Sequence, residues 1–163
     1  MDLLILSLGL PVILAWILNR ISYVWLKRRI LQERVWDLNL CCGKTDGGGV
    51  NADIHKHDDV PSFVQIDNIA HLPFADGQFE RVLCSHTVEH VDDPDALDRE
   101  LRRVGREVVY VLPPLWDISA VLNVFEHQWV FLTLRKRHHC LPPRIRLPFS
   151  QHVQRTLGQR IAA

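Results

Sequence analysis

Residues Leu3 to Leu18 read LLILSLGLPVILAWIL, a run with no charged side chain. Few conformations are open to such a stretch. In lipid it must be helical, because a helix satisfies its own backbone polar groups; in water it must be buried almost all round. At about 16 residues it falls slightly short of the ~20 that cross a hydrocarbon core. Asn19 and Arg20 interrupt it, Ile21 to Leu26 resume it, and Lys27, Arg28 and Arg29 close it with a basic stop. Arg20 can snorkel, and Trp16, Tyr23 and Trp25 suit a headgroup boundary. Residues 3–26 therefore read as a membrane-spanning helix. An interfacial helix, or a helix packed on the domain or a partner, are the alternatives. Pro11 kinks such a helix without forbidding it. A cleaved signal peptide carries its positive charge in front of the apolar run and small residues behind it, and neither is present. The basic residues behind the helix place the C-terminal side of the chain in the cytoplasm. The expected organisation is an anchor over 1–29 and one domain over 30–163, a division that 163 residues suit.

The rest of the chain alternates short apolar runs with turns and helical stretches. Val35–Leu40, Val50–Ile54, Phe63–Ile66, Arg81–Ser85 and Glu107–Leu112 read as five strands, with a last one over Arg144–Phe149. Ile30–Arg34 reads as a short polar linker. The spacing of Leu97, Leu101 and Val104 predicts a helix over Asp93–Val104, and Ile118–Leu134 is expected to be helical with a cationic end at Arg135–Arg137. The pattern is that of an α/β fold: a Rossmann-like, mostly parallel sheet with flanking helices, reduced in size and preceded by the apolar helix.

Three features in this frame point to a nucleoside site. In open α/β sheets ligands lie beyond the carboxyl ends of the strands. The loop LNLCCGKT (38–45) follows the first strand, and Gly43 in it permits a close backbone approach. Asp53 ends the second strand, where a carboxylate can accept both hydroxyls of a ribose. Asp67 follows the third strand, placed to meet an adenine edge. Singly, each reads better as a turn or a cap; the three in order point to a nucleoside site.

LNLCCGKT, VNADI (50–54), the Asp67 segment running into LPFADGQFERVLCSHTVEHV (72–91), LDRELRRV (97–104) and EVVYVLPP (107–114) together resemble class I S-adenosylmethionine-dependent methyltransferases of the type 11 methyltransferase-domain group. The resemblance implies S-adenosylmethionine as cofactor. It implies Asn39, Cys41 and Gly43 along its methionine and ribose, and Asp53 on the ribose hydroxyls. Asp67 with Asn68 or Ile69 would flank the adenine, and Ser85 and His86 would form the floor. Cys41 stands where the group usually has glycine, Asn39 stands in place of its first-strand acid, and the part after Pro114 is short.

Methyl transfer from a sulfonium needs proximity and orientation, and a base only when the acceptor arrives protonated. His86 and His90 are the candidate bases. Asp53, His55, His57 and Asp58 cluster in sequence, but no coordinating pattern repeats elsewhere, so no metal is expected. The four cysteines form no C-x-x-C pair and read as free thiols in a reducing compartment. Nineteen basic and nineteen acidic residues give no net charge, which argues against a nucleic-acid binder. The Arg135–His139 segment reads as a lipid-headgroup contact or as a cationic helix end. The expected function is methylation of a small-molecule, lipid or glycan acceptor at the cytoplasmic membrane face. A non-catalytic, membrane-anchored interaction protein retaining the fold is the alternative. An NAD-type module is disfavoured, because the loop lacks G-x-G-x-x-G.

Overall fold

A computed structural model of the chain describes residues 2–156. It begins as one helical rod: α1 (Asp2–Asn19), a π-helical stretch (Arg20–Leu26) and α2 (Lys27–Gln32). The central sheet comes next. Its strands are β1 (Trp36–Leu40), β2 (Gly48–Asp53), β3 (Phe63–Gln65), β4 (Phe79–Ser85), β5 (Gly105–Val111) and β7 (Arg137–His138). Their spatial order is β3-β2-β1-β4-β5-β7, with every pair parallel except β5 with β7. The expected α/β class is the observed one.

The five parallel strands form where β-branched and large apolar residues concentrate, and both sheet faces are covered. On one face, α3 (Pro94–Val104) buries Leu97, Leu101 and Val104 against Leu38, Val82, Cys84, Val108 and Tyr110. Asp93 caps this helix: its side chain accepts from the amides of Asp95 and Ala96, both at 3.0 Å, and Pro94 takes the first turn. On the other face, Ile30 and Leu31 lie over Trp36, Leu83, Val109 and Val111. The segment 30–34 is thus no linker: α2 runs on to Gln32, and its apolar pair covers the second face. The Trp36 indole N–H donates to the Leu31 carbonyl at 3.2 Å and ties the end of the rod to β1.

β1 and β2 are joined by a tight loop and not by a helix. The backbone of β2 passes so close to β1 that a Cβ on Gly49 would collide with the carbonyl oxygens of Trp36 and Asp37, so only glycine fits there.

The stretch after Pro114 departs from the expected long helix. Only Ile118–Val121 (α4) is helical, capped by Asp117. The chain then turns, and Trp129–Phe131 (β6) pairs antiparallel with Arg144–Arg146 (β8) as a separate two-stranded sheet. An apolar run of this length does not distinguish helix from strand by periodicity. Tertiary contacts decide it here: the Glu89 carbonyl accepts from the amides of Gln128 and Trp129. The last expected strand is confined to Arg144–Arg146, and α5 (Ser150–Thr156) comes after it.

Candidate functional site

A cavity of about 830 Å³ opens at the carboxyl ends of β1, β2 and β4, a volume usual for small-molecule sites. One wall is the loop Cys41–Asp46 with Asp53 to His55 and His57. The floor is Ser85, His86, Thr87 and His90. The opposite wall is the helical rod, from Tyr23 to Gln32.

Two non-glycine residues in the left-handed region sit at neighbouring strand ends: Cys41 (φ 51°) after β1 and His86 (φ 55°) after β4. Such backbone costs energy and concentrates at functional sites. The Cys41 side chain lines the cavity and does not fill it. Burial pushes its thiol up to about 12, so it is a neutral, unreactive wall at physiological pH.

Asp53 is buried and faces the cavity. Its Oδ2 accepts from the Gly43 amide at 2.8 Å and its Oδ1 from the Ile54 amide at 2.8 Å. The carboxylate therefore fixes the glycine loop to the tip of β2. The His55 amide adds a long bond to Oδ1 at 3.5 Å, so of the roughly four lone-pair positions of the carboxylate the one left open is on Oδ2, with a second shared only with that long bond. Ser85 adds a second opening for a ligand, since its Oγ is buried on the floor with no hydrogen-bond partner among the described residues.

Of the residues expected at the site, Cys41, Gly43, Asp53, Ser85, His86 and His90 line this cavity, whereas Asn39, Asp67 and Asn68 do not. Asn39 is buried beneath the loop, donating to the Thr45 carbonyl at 2.9 Å and to Asn51 Oδ1 at 3.0 Å. Asp67 is exposed beyond β3, and Asn68 caps its own turn through the Ala70 amide.

The two candidate bases differ. His86 has both ring nitrogens engaged: Nδ1 lies 3.0 Å from Glu89 Oε1, and Nε2 lies 2.7 Å from Lys136 Nζ. Burial pushes His86 down to about 4, against the pull of Glu89. A neutral ring then donates from Nδ1 and accepts at Nε2 from the lysine ammonium. Burial opposes charge on Glu89, but the His86 N–H, with His90 and His127 nearby, holds its carboxyl below the usual range. His90 is bound only through Nδ1, 2.8 Å from the Glu126 carbonyl oxygen, and its Nε2 makes no bond among the described residues.

Lys136, which sequence reasoning assigned to a cationic helix end, is a buried member of this network. Its Nζ also donates to Ser22 Oγ on the rod at 2.9 Å. The Arg135–His139 segment is therefore no helix terminus: Lys136 turns inward, Arg137 pairs with Glu33 at 2.6 Å, and Arg135 and His139 stay exposed. Burial lowers Lys136 to about 8, with Lys27 acting in the same direction and Glu89 and Asp117 against it. The unfolded chain keeps that proton up to the ordinary lysine value, so folding stability rises with pH above about 8. We expect Lys136→Met to melt higher than wild type at pH 7.5, and that advantage to shrink at pH 9.5. Taking the difference between the two proteins cancels the thiols, which titrate in the opposite sense. An advantage that stays constant across this range contradicts a buried, charged Lys136.

A family model described as a methyltransferase domain matches residues 31–111, from the end of α2 to the end of β5. Through this segment the chain belongs to the methyltransferase-domain family. The family's methyl donor is S-adenosylmethionine. The matched segment carries both the glycine loop with Asp53 and the floor from Ser85 to His90. The unfilled lone pairs of Asp53 and the orphaned Ser85 hydroxyl fit the hydroxyl and amine groups of that cofactor. A search of curated proteins gives no match. Among solved structures, the chain is similar to a Thermotoga maritima S-adenosylmethionine-dependent methyltransferase described as a possible histamine N-methyltransferase. That likeness has 13% identity and a TM-score of 0.38, over 61% of this chain and 62% of that one, so under two thirds of its length.

Proposed function

We propose that the protein transfers the methyl group of S-adenosylmethionine to a lipid-associated acceptor at a membrane face, the domain lying on the cytoplasmic side of an anchor formed by the rod. The observation that carries this reading is the shared wall. The helix Gly9–Gln32 contains an 18-residue window of mean hydropathy 1.4, apolar enough for a membrane, and its C-terminal end, from Tyr23 to Gln32, supplies one side of the cavity. Leu10, Val12, Ile13, Leu14 and Trp16 are exposed along it. Next to it, α4 exposes Ile118 and Leu122 lies exposed at its end, and Asn19 donates to Asp117 at 3.1 Å at the junction. An apolar surface of this extent has no reason to face water. The basic residues Lys27–Arg29 behind it support the cytoplasmic orientation.

When bound, the cofactor supplies an electrophilic methyl group. Cys41, Gly43, Asp53 and Ser85 would hold it, with Asp53 as the acceptor for the ribose hydroxyls; Asp67 and Asn68, which lie outside the cavity lining, would flank the adenine. His86, fixed between Glu89 and Lys136, is a positioning residue on the floor. His90 lines the floor with Nε2 open to a ligand. The protein gives proximity and orientation, which account for much of the rate in a displacement of this kind.

Incubating the detergent-solubilised full chain with methyl-labelled S-adenosylmethionine and membrane lipid extract tests this. Label in the organic phase, dependent on the protein, is the expected result. Absence of label from lipid, water-soluble and glycan acceptors alike would instead favour a non-catalytic interaction protein, the reading that Cys41 and the short C-terminal part motivate.

A further inference from the structure

The turn after α4 brings His127 back against the segment beyond β4. Its backbone is fixed there on both sides. The His127 amide donates to the Asn123 carbonyl at 2.8 Å, and the Gln128 amide to the Glu89 carbonyl at 2.7 Å. The Gln128 side chain donates to the His90 carbonyl at 2.9 Å. One donor atom each from Glu89, His90 and His127 then lies within 4.8 Å of the other two.

Glu89 and His90 are prepared in the same way, with one atom tied to protein and the other left over. A carbonyl oxygen only accepts, so His90 Nδ1 carries the ring proton in its bond to Glu126, and Nε2 keeps a bare lone pair. Holding one imidazole nitrogen on a carbonyl is how proteins orient a metal-ligating histidine. Glu89 Oε1 is taken by His86, while Oε2 is fully buried and has no partner among the described residues. A buried carboxylate oxygen left alone is costly, so something is expected to meet it. His127 is 6% exposed, and its ring stands edge-on to His90 with centroids 4.8 Å apart.

We propose that Glu89, His90 and His127 form a divalent-cation site at the edge of the cavity. Two imidazole nitrogens and one carboxylate oxygen suit a transition-series cation better than calcium or magnesium, which favour oxygen. Coordination bonds are about 2.0–2.2 Å, so the ligands close by about an ångström, a movement available to the half-exposed His90. Three protein ligands leave coordination positions open, and of the three residues His90 lines the cavity. The site departs from the expectation of no metal, which considered only the Asp53–Asp58 cluster. Its existence rests on this geometry alone. Its role, which is to hold an oxygen of the acceptor beside the methyl group and favour loss of that oxygen's proton to solvent, rests on the methyltransferase reading.

The test is titration of EDTA-stripped, detergent-solubilised full-length protein with MnCl2, following the six-line electron paramagnetic resonance signal of the free ion. One Mn2+ bound per chain is expected, weakened tenfold or more by His127→Ala and by His90→Gln, and unchanged by His57→Ala. No binding to the wild-type protein overturns the proposal, as does equal binding by wild type and His90→Gln. Should His127→Ala fail to fold, the wild-type titration and His90→Gln decide it. Titration with S-adenosylhomocysteine in EDTA buffer reads the cofactor pocket separately, so a missing cation site and a missing methyltransferase site give different results.

Discussion

Removing residues 1–32 is expected to leave a chain that does not hold its sheet, whereas removing residues 1–18 leaves it folded. If the N-terminal helix were only an anchor, the two truncations would behave alike. The difference lies in what each removes. Residues up to Leu18 include the exposed apolar stretch Leu10–Ile17, which contributes little to the domain core. Residues 19–32 carry Asn19 on Asp117, Ser22 on Lys136, and Ile30 and Leu31 over the second face of the sheet. Uncovering Trp36, Leu83, Val109 and Val111 while losing Ile30 and Leu31 forfeits roughly 5 kcal/mol of apolar burial, at about 1.5–3 kcal/mol per large side chain. Lys136 also loses its hydroxyl partner. That sum is comparable to the whole stability of an ordinary domain, about 5–15 kcal/mol. Far-UV circular dichroism and thermal melting of the two truncated proteins check it. A cooperative melt from the 1–32 deletion, close to that of the 1–18 deletion, contradicts it.

The second large effect belongs to Asp53. Its carboxylate holds the Gly43 and Ile54 amides and faces the cavity, so Asp53→Ala loosens the glycine loop and removes the ribose acceptor together. Hydrogen bonds to a charged group contribute about 1.5–3 kcal/mol each, so losing two weakens cofactor binding by ~100-fold or more. Asp53→Asn keeps one acceptor oxygen and should fall between. The variant should still fold, because the core on both sides of the sheet is untouched.

The parallel sheet was legible because its strands are short, largely apolar runs bounded by turns and its principal helix carries a proline start and apolar residues at helical spacing. The glycine loop and Asp53 were legible because a strand end followed by a permissive turn is a local pattern. The network behind the floor was not. His127 and Lys136 reach the site through turns that follow no periodic signal, and a single histidine or lysine there reads as surface. The rod's second role was also hidden: an apolar run looks the same whether lipid or a sheet face covers it. Tyr23–Gln32 became part of the cavity only through the packing of Ile30 and Leu31. Asp67 lies outside the cavity lining, since a carboxylate at a strand end carries no information about which way it points.

The most direct measurement is calorimetric titration of S-adenosylmethionine into the full-length protein in detergent, beside Asp53→Ala. One site per chain in the wild type, with binding lost or weakened ~100-fold in the variant, is expected if the cavity holds a nucleoside by its sugar. No heat of binding in the wild type, or equal affinity in both proteins, would contradict it.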